Sequence, residues 1–203
     1  MIAIDILLQP DQGMVAAAKA ANARLAAMDP RCYALDDSHI AHVTVLQAFV
    51  DAADLDRLAV ALEERIDAAR PARWRLNATG VGIMRYGEVG LASIGVARTP
   101  ALVAFQAAVV EATASFARSG GEAGAFVPRE DGGAINPLTV ADARTFAAKF
   151  TGANYTPHVT IGVVGLDHAD LSDVPFRPFA FAIAGVAIYQ LGDFGTARRR
   201  LWP

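Results

Sequence analysis

The chain has 203 residues, 54% hydrophobic and 19% charged, and a formal net charge of −3. This supplies one substantial core, is too acidic for a broad footprint on extended double-stranded nucleic acid, and leaves no membrane span, since Asp5 breaks the first apolar stretch and Arg98 and Pro100 break the one from Leu91 to Val110. Cys32 is the sole cysteine, which excludes an internal disulfide and a cysteine-based zinc cluster and agrees with a reducing compartment.

Met1 to Leu8 carries an acid in its middle and no Lys or Arg, unlike a secretion signal, so the expected location is the cytoplasm. Ile2 to Leu8 reads as a strand, followed by an Ala-rich helical stretch from about Gln12 to Met28 that Pro30 ends. His42 to Val50 is a second strand. Asp51 to Ala69 is helical: an acid opens it, Leu55, Leu58, Leu62 and Ile66 recur at spacings of three and four, and Pro71 lies beyond its end. Trp74 to Met84 and Val89 to Ala97 are β-type runs split by Arg85-Tyr86-Gly87-Glu88, a hairpin turn. Pro100, at the favoured first position, opens a third helix that reaches about Arg118. Ser119 to Pro137 is rich in Gly and Pro and reads as a surface loop, either a plain connector or a mobile lid, without the spacing of a nucleoside-triphosphate cradle. Thr139 to Phe150 is a short helix, and His158 to Val164, Phe179 to Leu191 and Thr196 to Trp202 are strands. The order predicts one α+β domain over residues 1–203, short antiparallel sheets with helices on one side.

One local pattern occurs twice. His42-Val43-Thr44-Val45 and His158-Val159-Thr160-Ile161 stand 116 positions apart, both in β-type sequence. With a strand period of two, His and Thr share one face and the aliphatic residues the other, which puts imidazole and hydroxyl roughly 6 to 7 Å apart along the backbone. Two of four histidines followed by Thr at this offset is an outcome of about one or two per cent by chance, given that Thr is about 5% of average composition. Displacement at phosphorus needs a base for the nucleophile and an acid for the leaving oxygen, and imidazole serves as either near neutral pH. Two hydroxyls can then donate to the non-bridging oxygens. His42 and His158 are therefore the catalytic candidates, with Thr44 and Thr160 as phosphate ligands and no metal or cofactor required.

Other residues read more plainly. Tyr155 or Phe49 is a candidate for stacking a base at the cleft edge. Arg73, Arg75 and Arg85 have the reach to touch a phosphate, but no spacing selects among them. His39, three residues before His42, faces away from the site in a strand, and Arg198 to Arg200 read as a solvated strand end. Asp167, His168 and Asp170 read as a water-facing acidic loop rather than a metal site.

The doubled His-hydrophobic-Thr-hydrophobic pattern, with Tyr155-Thr156-Pro157 leading into the second copy, resembles the 2H phosphoesterase superfamily, which includes 2′-5′ RNA ligases and 2′,3′-cyclic nucleotide phosphodiesterases. The resemblance implies two pseudo-symmetric lobes with helices outside and a cleft between them. It further implies a monomer acting on a small nucleotide or RNA terminus that carries a cyclic phosphate or 2′-5′ linkage. By analogy with its cyclic phosphodiesterases, His158 activates water and His42 protonates the departing ribose oxygen. A binding module that holds a terminal phosphate without turnover, and RNA end joining, stay open as alternatives.

Overall fold

The computed structural model describes residues 1–168, 171 and 174–203. Twelve elements follow along the chain: β1 (Ile2–Pro10), α1 (Gln12–Met28), β2 (Val43–Val50), α2 (Leu55–Ala69), β3 (Arg75–Tyr86), β4 (Val89–Val96), α3 (Pro100–Thr113), β5 (Ala117–Arg118), α4 (Pro137–Lys149), β6 (His158–Gly165), β7 (Phe179–Leu191) and β8 (Ala197–Trp202). The helices begin where the sequence supplies caps. Asp11, Thr99 and Asn136 each accept a first-turn amide, and Pro100 and Pro137 occupy the first positions of α3 and α4. Helix α2 stops at Arg70, in the left-handed region at φ 51, just before Pro71.

All strand pairs are antiparallel, in the order β5-β2-β1-β7-β3-β4-β6, with β8 also on β7. The 13-residue β7 joins two halves: Phe179 to Ala182 pair with β3, whereas Ile183 to Gln190 pair with β1. The fold is α+β, as expected. One apolar core fills the outer side, where α1 packs on β6, α2 and α3 pack together, and α3 packs on β2. Met14, Ala18 and Leu25 of α1, Leu58 and Leu62 of α2, and Leu102, Phe105 and Val109 of α3 meet Ile4, Ile6, Val45 and Ile161 there. Helix α4 differs: its Ala143 joins Ala3, Phe49 and Leu191 on the opposite, inner face of the sheet. Among the described residues no helix is long and apolar enough to cross a membrane.

Two expectations need correction. The third helix ends at Thr113 rather than Arg118, and Ala117 and Arg118 pair as a short strand with Val50 and Phe49. The cause is charge: Arg118 reaches Asp51 at 2.8 Å and Asp54 at 3.0 Å, which draws the chain onto the sheet edge. The segment from Ser119 to Pro137 is neither a plain surface loop nor a free lid. Ala125, Phe126 and Ile135 are buried with Phe49, Val127 N donates to Leu191 O, and Gln190 Nε2 donates to Ala125 O, both at 2.8 Å. Burial of these side chains contributes about 1.5–3 kcal/mol for each large one, which fixes the segment despite its glycines.

Candidate active site

Each His-x-Thr motif sits on a strand with a β-bulge directly behind the Thr. On β2, Thr44 faces Leu7 and Leu46 faces Ile6, so Val45 is the extra residue. On β6, Thr160 faces Ser93 and Gly162 faces Ala92, so Ile161 is the extra residue. The bulge leaves a backbone carbonyl to be satisfied, and both are met by a buried amide from the helix behind. Gln106 of α3 donates to Val45 O at 3.1 Å, and Asn22 of α1 donates to Ile161 O at 2.8 Å. Asn22 also accepts from Leu35 N and donates to Tyr33 O. Behind the second bulge, a side chain on Gly162 would come within 2.4 Å of Cys32 Sγ, so glycine lets α1 lie close there.

The two imidazoles are oriented alike. Nδ1 of His42 lies 2.8 Å from Ile40 O, and Nδ1 of His158 lies 2.8 Å from Thr156 O, in each case the carbonyl two residues earlier. A carbonyl only accepts, so both rings carry a proton on Nδ1 and leave Nε2 for chemistry. Both rings and both threonines line one cavity of about 130 Å³, on the order of ten times the space one water needs. Tyr155, also on its wall, ties the halves together by donating its hydroxyl to Thr44 O at 2.8 Å.

The halves differ at one register position. Asp5 on β1 pairs with Gln47, three residues past Thr44; the matching position on β4, paired with Val163 three residues past Thr160, is Leu91. Asp5 is fully buried, lies 3.3 Å from His42 Nε2 and accepts from the Thr44 hydroxyl at 2.7 Å. Burial raises the carboxyl above its ordinary range, opposed by His42, Thr44 and Gln47. Burial lowers His42, but hydrogen bonding to Asp5, the Asp5 charge and the Ile40 carbonyl outweigh it, and the net shift is upward. His158 is shifted down, chiefly by burial and also by the charge of His42, against the pull of the Thr156 carbonyl. The two imidazoles are thus biased in opposite directions, His42 toward its protonated form and His158 toward its neutral one. Asp5 was not among the sequence candidates, although an acid at the centre of an apolar strand was the available signal.

Phe49 does not reach the cavity. It is 1% exposed, packs edge-on against Phe126 at 5.7 Å, and lies under α4 and residues 119–137. Tyr155 does line the cavity, with its hydroxyl already engaged. Arg73, Arg75 and Arg85 lie off the cavity, and among the described residues no Lys or Arg lines it. His39 stacks on Tyr33 at 4.8 Å, outside the cavity. Among the described residues no three His, Cys, Asp or Glu side chains gather in a metal-binding group; Asp170 and the His168 side chain lie outside those residues.

A family model described as the 2′-5′ RNA ligase superfamily matches residues 15–173. The crystal structure of the MHV ns2 PDE domain is similar in fold, with a TM-score of 0.52 and 12% sequence identity over 95% of this chain and 100% of that one. No curated protein matches the sequence. The matched span contains both His-x-Thr pairs and begins after Asp5.

Replacing Asn22 or Gln106 by Leu leaves a bulge carbonyl buried without its donor, which costs about 1–3 kcal/mol. Urea unfolding of each variant is expected to show that loss. Unchanged midpoints in both would contradict the role given to these amides.

Proposed function

The chain belongs to the 2′-5′ RNA ligase superfamily, and we propose that it is a metal-independent phosphodiesterase that opens 2′,3′-cyclic phosphates, or cleaves 2′-5′ linkages, of nucleotides or RNA ends. The observation that carries this reading is that both His-x-Thr pairs open onto one cavity with imidazoles biased to opposite protonation states. Environments that push two titratable groups apart assign the acid and the base.

In the proposed reaction His158 Nε2 takes a proton from water as the water oxygen bonds to phosphorus. The bond from phosphorus to the ribose oxygen breaks, and His42 Nε2 gives its proton to that oxygen. Solvent exchange then restores both rings. At 3.3 Å the contact between His42 and Asp5 is longer than the roughly 2.7–2.9 Å of a charge-assisted hydrogen bond. Asp5 thus favours a proton on His42 through a long hydrogen bond and through its charge. Thr44 has its hydroxyl proton committed to Asp5, whereas the Thr160 hydroxyl makes no hydrogen bond among the described residues, so Thr160 is the hydroxyl available to a non-bridging oxygen.

Charge selects the kind of phosphate. Among the described residues no Lys or Arg lines the wall, and Asp5 already faces His42, so a singly charged diester is tolerated better than a doubly charged phosphate. A monoester carries about −1.5 to −2 at neutral pH and is disfavoured, which helps product leave and weighs against a module that only holds terminal phosphates. The same lack of cations weighs against an extended RNA and against end joining.

With chelator present, the wild type is expected to turn over members of a panel of cyclic nucleotides, 2′-5′ dinucleotides and cyclic-phosphate RNA ends, and His42→Ala or His158→Ala should each cost on the order of a hundredfold or more. No turnover on the whole panel would refute the proposal. The rate should follow a bell in pH, its alkaline limb set by His42. Asp5→Asn removes the charge that raises His42, so that limb should move to lower pH, with a loss of about tenfold or more on the alkaline side and less on the acid side. An unmoved profile would contradict the role of Asp5.

A further inference from the structure

Away from the phosphate-facing groups, the cavity wall is aromatic, and most of its side chains serve no step of the reaction above. Tyr86 from the end of β3, Phe146 and Phe150 at the end of α4, and Phe194 before β8 line it together with Asp142. The Phe194 and Tyr86 rings meet edge to face, with centroids 6.1 Å apart and planes at 66°. Phe194 holds a left-handed backbone at φ 55 and ψ 26, a conformation costly for a bulky residue and characteristic of binding sites when the surroundings enforce it. Here they do. Asp193 accepts from Asn136 N at 2.8 Å, Thr139 Oγ1 at 3.1 Å and Arg129 Nη1 at 2.7 Å, and Thr139 Oγ1 accepts from Phe194 N at 3.0 Å. This network bolts the Phe194 turn to α4.

Among the described residues Asp142 is the only acidic side chain lining the cavity; no cation there lies within 4 Å of it, although the charge of Lys149 acts on it. Burial raises the Asp142 carboxyl, opposed by the neighbouring Tyr86 hydroxyl and by Lys149. In its ionised form a carboxylate only accepts, and has room for several donors on its two oxygens. The wall fits a flat ligand that presses its face on the aromatic rings and turns N–H groups toward Asp142.

We propose that Tyr86, Asp142 and Phe194 form a nucleobase subsite that favours a base with two adjacent N–H donors on one edge, the guanine pattern. The proposal rests on the phosphodiesterase reading for the placement of a phosphate next door, but it is tested without a phosphate. Adenine and cytosine offer one amino group beside an acceptor that faces the carboxylate unfavourably, and uracil offers one N–H between two carbonyls. Guanine alone matches both oxygens of Asp142.

The test is equilibrium binding of guanosine, adenosine, cytidine and uridine to the full chain, followed by chemical-shift titration. Guanosine is expected to bind at least fivefold more tightly than the other three. Asp142→Asn should erase that preference, and Tyr86→Phe should weaken it, at unchanged thermal stability. Equal binding of all four nucleosides by the wild type, or binding of none, overturns the subsite, and this ranking decides even if the variants fail to fold. The cyclic nucleotides, assayed alongside, separate the two readings: guanosine preference without turnover of any of them supports the subsite and removes the phosphodiesterase, whereas turnover of all four at equal kcat/KM does the reverse.

Discussion

A buried carboxylate next to one of two otherwise equivalent imidazoles is the interaction on which this site depends. The two strands that carry His42 and His158 are laid out alike: an Nδ1 bond to the carbonyl two residues back, a Thr two residues on, a bulge after the Thr, and a helix-borne amide on the bulge carbonyl. By symmetry alone the two rings would titrate alike, and neither would be better suited to give or to take a proton. Asp5 in one half and Leu91 at the matching register of the other remove that degeneracy. Electrostatics at 3.3 Å between two buried groups is far stronger than the same contact at a surface.

Such a carboxylate is expensive to bury. Leaving a charge unpaired in an interior costs several kcal/mol; at Asp5 this is offset at Oδ2 by His42 and the Thr44 hydroxyl, while Oδ1 is buried without a hydrogen-bond partner among the described residues. The cost is spread over a frame that cannot relax easily. Both bulges are anchored from behind by Asn22 and Gln106, and Tyr155 reaches from the lead-in to β6 across to Thr44 O. Helix α4 and residues 119–137 cover the inner face of β2 beside the cavity, with Phe49 beneath them. These contacts hold the two halves around one small cavity, onto which both rings open.

The sequence made part of this legible for a physical reason. A pattern of period two on a strand determines which side chains share a face, so the doubled His-x-Thr could be placed without coordinates, and Pro, Gly and capping residues located most element ends. What it did not convey is tertiary. The bulge at Val45 shifts the alternation, so that Phe49 comes onto the same face as Thr44 yet five residues further along, under a cover supplied by Ala125 and Phe126. The Gly-rich segment looked loose because its stabilising partners, Phe49, Gln190 and Leu191, are remote from it in the chain. The third helix looked longer because nothing local announces that Arg118 will be drawn to Asp51 and Asp54. Asp5 was visible as an anomaly in an apolar strand, but its neighbour His42 belongs to another strand.

Membership of the 2′-5′ RNA ligase superfamily and likeness in fold to the MHV ns2 PDE domain fit an α+β frame around one small cavity. The unequal treatment of the two imidazoles by Asp5 is the claim on which the reading of that cavity turns. Its direct test is an NMR pH titration of the four histidine side chains in the free protein, with His42 and His158 assigned by single substitutions. The account predicts that His42 keeps its proton to a higher pH than His158. Coincident titration of the two, or release of the proton from His42 first, would contradict it.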